Sequence, residues 1–242
     1  MSEIYLSVVI PTYNESERIA SSIKSVQEYF DSKKISGEII VSDDFSKDNT
    51  VQIVQDIIKS QSNLKILKSS KNYFKGYPVK KGMLEAKGKY IIFADADMAT
   101  PITEADKLIQ AINNGADIAI GSRIQSTGKD LRESQPLYRR VLGKIFTFIR
   151  EFLVRGIKDS QTGFKMFSHD SAKDLFSRQI IENIIFDVEI LYMARKLKYK
   201  VAEIPVEWNY GGETRMHVTA KNAIMTLASL AKIWLKHHWI KA

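Results

Sequence analysis

The sequence predicts an α/β fold: a mostly parallel sheet flanked by helices, followed by a C-terminal amphipathic helix. Three observations predict it. Short apolar runs of strand length alternate with segments whose apolar residues recur at helical spacing, from residue 6 to residue 120. Several of the runs are continuously apolar, as strands buried on both faces of a parallel sheet are. The 242 residues, 44% of them hydrophobic, are enough for one large domain with a real core.

In chain order, residues 6–10 form the first expected strand, ended by Pro11. Ile19, Ile23, Val26 and Phe30 then mark a helix. A strand over 38–41 leads to a helix over 48–59, with Val51, Val54, Ile57 and Ile58 facing inward. A strand at 65–67, a helix at 79–86, a strand at 90–94, a helix at 107–112 and a strand at 117–120 complete the alternation. It ends near Gly121. Residues 137–156 read as a helix too apolar for a surface stripe, and 159–165 as a polar loop in which Gly163 allows a tight turn. A helix over 186–197 and a strand over 201–206 follow. In the last helix, 223–240, Leu227, Leu230, Ile233, Trp234 and Trp239 alternate with Lys232, Lys236, His237 and His238.

Composition removes several function classes. There is no cysteine, so disulfides, thiolate metal sites and thiol nucleophiles are excluded. The first residues lack the basic, apolar and small-residue regions of a signal peptide, and no run reaches the ~18 apolar residues that span a bilayer. The expectation is a soluble or peripheral protein. A net charge of +8 suits an anionic partner. No Gly-x-Gly-x-x-Gly follows the first strand and no P-loop occurs anywhere, which argues against dinucleotide oxidoreductases and P-loop NTPases.

Ligands of an open parallel sheet bind beyond the carboxyl ends of its strands. Here those ends are acidic. The first strand runs into Pro11-Thr12-Tyr13-Asn14-Glu15, the second into Asp43-Asp44, the fourth into Asp95-Ala96-Asp97. Five carboxylates converging on one rim would repel unless a cation or a donor-rich ligand lay among them. Hard oxygen ligands suit Mg²⁺ or Mn²⁺. A simpler role competes: Asp44 or Ser46 can cap the helix at 48. Arg123 follows the fifth strand, with Arg132, Arg139 and Arg140 beyond it and Arg215 in a later loop. Arginine forks match phosphate. Lys75 and Asp159 are further candidates for phosphate or acceptor contact.

At these motifs the chain resembles the inverting glycosyltransferase family 2, whose fold is the Rossmann-like GT-A fold. More narrowly it resembles the branch that acts on dolichyl or polyprenyl phosphates. The matching pieces are VVIPTYNE (8–15), VSDDFSKDNT (41–50), KNYFKGYPVKKGM (71–83), FADADMAT (93–100), GSR (121–123), DSQTGFKMF (159–167) and IPVEW (204–208). Phe74 and Tyr77-Pro78 depart from the small residues common there. The resemblance implies a GT-A domain over 1–216, with a nucleotide-sugar half (1–120) and an acceptor half (121–216), and a basic helix over 217–242. It implies that Pro11, Tyr13, Glu15, Asp43, Asp44 and Asp95 serve the nucleotide. Asp95 and Asp97 would form the metal motif for Mg²⁺ or Mn²⁺. Arg123 with Arg139 or Arg140 would meet phosphate.

The implied reaction is one direct displacement at the anomeric carbon, with UDP-glucose favoured over GDP-mannose as donor. A phosphate acceptor, with its second pKa near ~6, is already anionic and needs no base. A hydroxyl acceptor would need one, and Asp187 and Glu189 are the candidates. Three readings therefore stay open: transfer to a lipid phosphate, transfer to a glycan or protein hydroxyl, and a non-enzymatic basic protein that binds nucleotide or nucleic acid. The crowded carboxylates argue against nucleic acid. The basic, Trp-bearing C-terminal helix suits the cytoplasmic face of a membrane, the alternative being a helix packed on the core or against a partner subunit.

Overall fold

In the computed structural model, whose described residues are 4–131, 153–209 and 220–240, seven strands form one sheet. The strands are β1 (Leu6–Thr12), β2 (Gly37–Asp43), β3 (Leu64–Lys68), β4 (Tyr90–Ala94), β5 (Ile118–Ser122), β6 (Phe164–Ser168) and β7 (Val201–Pro205). The helices described are α1 (Ile19–Lys33), α2 (Thr50–Ile58), α3 (Gly76–Glu85), α4 (Ala105–Asn113), α5 (His169–Arg178), α6 (Phe186–Lys196) and α7 (Ala220–His237). The strand order is β3-β2-β1-β4-β6-β5-β7. All pairings are parallel except the two made by β6, which is antiparallel to both β4 and β5.

The sheet separates two cores, and strand pleating assigns the residues. Val9, Ile40, Ile91 and Phe93 face the layer that holds α3, α5 and α6; Val8, Ile10, Ile39 and Val41 face the layer that holds α1 and α4. This is why β1 is apolar at consecutive positions. β1 also continues through Pro11 and Thr12, paired with Ser42 and Asp43, where the sequence predicts a stop at the proline. α3 starts three residues before its expected first residue. Pro78 sits in its first turn, where a missing N–H breaks no helical bond.

The chain leaves β1 toward β2 and β3 on one side, then crosses to β4 on the other. The reversal makes a crevice at the carboxyl ends of β1 and β4, where such sheets bind ligands.

Two elements were not expected. β6 lies at the end of the stretch read as a polar loop. Phe164 and Met166 face one core and Phe167 the other, while Lys165 breaks the apolar pattern that would have announced a strand. α5 follows directly, its first turn closed by the Ser168 Oγ, which accepts the Ser171 N–H. The apolar helix expected over 137–156 lies mostly outside the described residues. Its described end, 153–156, is a turn with Leu153 and Val154 buried.

Candidate active site

The first part of the rim is built by loops that hydrogen-bond to one another. Asn14, at φ 54°, donates its N–H to Ser46 Oγ (2.8 Å) and accepts the Lys47 N–H (2.7 Å). Glu15 donates its N–H to Thr50 Oγ1 (2.7 Å), and its carboxylate pairs with Arg18 at 3.1 Å. Asp48 accepts the N–H of Ser16 and the N–H of Thr50. Burial works against its charge, but these bonds and the Thr50 hydroxyl outweigh it and hold the carboxyl down at about 2. Asp48, not Asp44 or Ser46, therefore receives the first N–H of α2, which starts at Thr50 rather than at 48.

Asp43 is buried and accepts the Ser46 N–H at 3.0 Å. Asp44 is also buried, and accepts the N–H groups of Tyr73 (2.9 Å) and Phe74 (2.7 Å). Burial pushes its carboxyl up despite those donors. Asp44 thus clamps the loop that carries Lys75. Tyr13 and Phe74 stay exposed on this rim, while Pro11 is buried within β1.

The second part gathers at the end of β4. The Asp95 N–H donates to the Gly163 carbonyl (3.0 Å), and Asp95 Oδ1 lies 2.6 Å from Lys75 Nζ. A Cβ on Gly163 would sit 1.9 Å from Asp95 Oδ2. The glycine is there for this approach and not for the tight turn the sequence suggests. Asp97 is exposed, its Oδ1 accepting the Ala99 N–H at 3.0 Å. Behind Asp95, Lys165 Nζ lies 2.6 Å from Asp187 Oδ1 and donates to the Thr162 carbonyl. This pair is dry. Burial pushes the Asp187 carboxyl up and the Lys165 ammonium down, and each partner opposes the shift of the other. Burial also works against the Lys75 ammonium, but Asp95 first and then Asp187 reverse that and raise it above its ordinary value.

Among the described residues, no three carboxylate or imidazole groups lie close enough to hold a metal together. Backbone donors and hydroxyls have already taken Asp43 and Asp44. What assembles instead is a chain of alternating charge: Lys165, Asp187, Lys75 and Asp95. Lys165 was not foreseen as a site residue. The available signal was a lysine set between aromatic residues in Phe164-Lys165-Met166-Phe167.

Two other candidates are turned inward. Asp159 is buried and receives the Arg123 backbone N–H (2.9 Å), Nε (2.8 Å) and Nη2 (2.6 Å). These three bonds orient Arg123 and leave Asp159 buried behind it. Glu203 of β7 accepts the Asp159 N–H and the Ser122 hydroxyl, and the Arg123 guanidinium packs over Trp208. Glu189 is wholly buried. It accepts the N–H groups of Ile180 and Ile181 and bonds His237 Nε2 at 2.7 Å. It ties α7 to α6 and is not placed to serve as a base. Arg132, Arg139, Arg140 and Arg215 lie outside the described residues.

A family model described as "Glycosyl transferase family 2" matches residues 7–176. The chain belongs to glycosyl transferase family 2. Within it, two similar proteins are named dolichyl-phosphate beta-glucosyltransferase. The one from Dictyostelium discoideum is 38% identical over 220 residues, covering 86% of this chain and 67% of that protein. The one from Saccharomyces cerevisiae is 38% identical over 228 residues, with the same two coverages. The crystal structure of glucosyl-3-phosphoglycerate synthase from Mycobacterium tuberculosis, in complex with Mn²⁺, UDP and glucosyl-3-phosphoglycerate, aligns with a TM-score of 0.66 at 16% identity. It covers 96% of this chain and 79% of that one. The fold of this family 2 glycosyltransferase is thus GT-A, with β6 as the antiparallel strand inside the sheet.

Proposed function

We propose that this chain transfers glucose, with inversion, from UDP-glucose to a polyprenyl phosphate such as dolichyl phosphate. The observation that carries the reading is the 38% identity, over 86% of the chain, to proteins named for that reaction. The site supports it in two ways. The rim beside β1 and β4 offers loops fixed by backbone hydrogen bonds, suited to a nucleotide. Asp187, the nominated base that lies at the site, is held by Lys165, which suits an acceptor that arrives already ionised.

Asp95 and Asp97 are the residues we assign to Mg²⁺ or Mn²⁺. They supply two hard oxygen donors, and phosphate oxygens of the donor would complete the set, as is usual for Mg²⁺. The close packing of Gly163 against Asp95 holds one carboxylate in place for this. The ion stabilises the negative charge of the leaving diphosphate when bound. The nucleotide contacts of Pro11, Tyr13, Glu15 and Asp43 belong to the same reading. Two of the five N–H donors of the Arg123 guanidinium go to Asp159, so a phosphate would use its others.

α7 supports a peripheral position on a membrane, at the cytoplasmic face where nucleotide sugars are at hand. Leu230, Ile233 and His237 bury one side. Leu227, Trp234 and Leu235 are 51–59% exposed on another, at i, i+7 and i+8, with Lys232 and Lys236 exposed between them. Among the described residues no helix is long and apolar enough to cross a membrane. Replacing Trp234 and Trp239 by serine is expected to weaken binding to anionic vesicles in a flotation assay. Unchanged flotation would remove the membrane assignment.

The reaction is tested with radiolabelled UDP-glucose and GDP-mannose, offered with polyprenyl phosphate and Mg²⁺ or Mn²⁺. Label is expected in the lipid from UDP-glucose. Label from GDP-mannose alone would change the donor, and none from either would overturn the reading.

A further inference from the structure

The ion pair at the end of β4 lies where a metal ligand is needed. Lys75 Nζ is 2.6 Å from Asp95 Oδ1, both side chains being about a third exposed (31% and 37%). A divalent cation and an ammonium within a few ångströms of one carboxylate repel each other. We propose that Lys75 is the resident counter-ion of Asp95, and that a divalent ion engages Asp95 only by displacing it. This rests on the reading of Asp95 and Asp97 as metal ligands.

The placement of Lys75 is built. Asp44 accepts the two N–H groups before it, those of Tyr73 and Phe74. Phe74 takes the left-handed backbone conformation, at φ 70°, that turns the chain into α3. On the other side, Gly76 presses on the 182–183 backbone so closely that a Cβ would lie 2.7 Å from the Glu182 carbonyl. Tyr73 and Tyr77 stack across the loop at 4.0 Å. A lysine meant only for solvent needs none of this.

The carboxylate is equally fixed. Gly163 backs Oδ2 of Asp95, and the Asp95 N–H bonds the Gly163 carbonyl. On this reading the exchange is of one cation for another on the same carboxylate, which lies against Gly163. Asp187, the next carboxylate along, already has Lys165 at 2.6 Å. Lys75 is therefore committed to Asp95 in the metal-free protein, and once displaced it is a mobile cation beside an anionic donor. The consequence is that free metal binds weakly and the loaded donor binds better.

The test is Mn²⁺ binding to the nucleotide-free full chain, read as the electron paramagnetic resonance signal of unbound Mn²⁺. Lys75→Met is expected to bind Mn²⁺ about two- to fivefold more tightly than the wild type, within what an exposed ion pair of up to about 1 kcal/mol corresponds to. Lys75→Gln should behave alike, and Lys75→Arg should stay near the wild type. Equal or weaker binding by both neutral variants, with their thermal transitions kept, overturns the proposal. So does the absence of Mn²⁺ binding from every variant. Asp95→Ala separates the two layers: Mn²⁺ binding as in the wild type would mean that Asp95 is no metal ligand and the reading falls, whereas binding lost in Asp95→Ala with no gain in the neutral Lys75 variants overturns the proposal alone.

Discussion

The carboxylates of the first half and those of the second half are satisfied in different ways. Asp43, Asp44 and Asp48 take backbone N–H groups of nearby loops: Ser46, Tyr73, Phe74, Thr50 and Ser16. Asp159, Asp187 and Glu189 in addition pair with nitrogen-bearing side chains: Arg123, Lys165 and His237. The first group shapes loops, with Asp43 and Asp44 buried and Asp48 exposed. The second group joins elements and is buried. Asp95 stands between them, with a backbone bond to Gly163 on one side and the Lys75 ammonium on the other. The acidic strand end after β2 thus builds loops, while the one after β4 keeps a partly exposed carboxylate paired with an ammonium.

Asp97→Ala removes an exposed carboxylate with one local hydrogen bond, so it should leave the thermal transition unchanged. Turnover should fall by roughly a hundredfold or more, as the loss of metal-borne charge stabilisation worth several kcal/mol implies. Steady-state kinetics at saturating Mg²⁺ checks this, and near wild-type turnover would dissolve the distinction between Asp95–Asp97 and the loop-building carboxylates.

Lys165→Met should act on stability instead. It strands the buried Asp187 carboxylate, and breaking a buried pair costs about 3–5 kcal/mol. Urea denaturation measures it. A loss below about 1 kcal/mol would mean that the pair is not the dry joint described.

Gly163→Ala places a methyl group where Asp95 Oδ2 now lies. Overpacking of this kind costs about 1–3 kcal/mol, and the displaced carboxylate should lower kcat more than it raises the KM for donor. Alanine tolerated with full activity would show that Asp95 has room to move.

Asp48→Ala is the mildest change and has a pH signature. The folded carboxyl, at about 2, is below its ordinary 3.8, so its contribution is fully present above that value and lost as pH falls toward 2. The variant should melt slightly lower than the wild type at pH 7, and the gap should close in acid. A gap independent of pH would assign the effect to packing.

The same contrast explains what the sequence reveals. β1, β2 and β4 are legible because each is a run of apolar residues buried on both faces, and the acidic ends of all three are visible as motifs. β6 is not, because Lys165 interrupts it and its antiparallel place between β4 and β5 is set by distant chain. Asp95 and Asp97 are visible in the sequence as an Asp-Ala-Asp at the end of β4. That Asp159 belongs to Arg123, and Glu189 to His237, is not. Those pairs span 36 and 48 residues and exist only once the sheet and α7 have formed.

In the proposed reaction a phosphate oxygen displaces the nucleoside diphosphate in one inverting step. Proton and phosphorus nuclear magnetic resonance of the product made from UDP-glucose and a polyprenyl phosphate tests that most directly. A β-configured glucosyl phosphodiester is predicted. An α-configured product, or glucose attached to a hydroxyl with the phosphate left untouched, would contradict it.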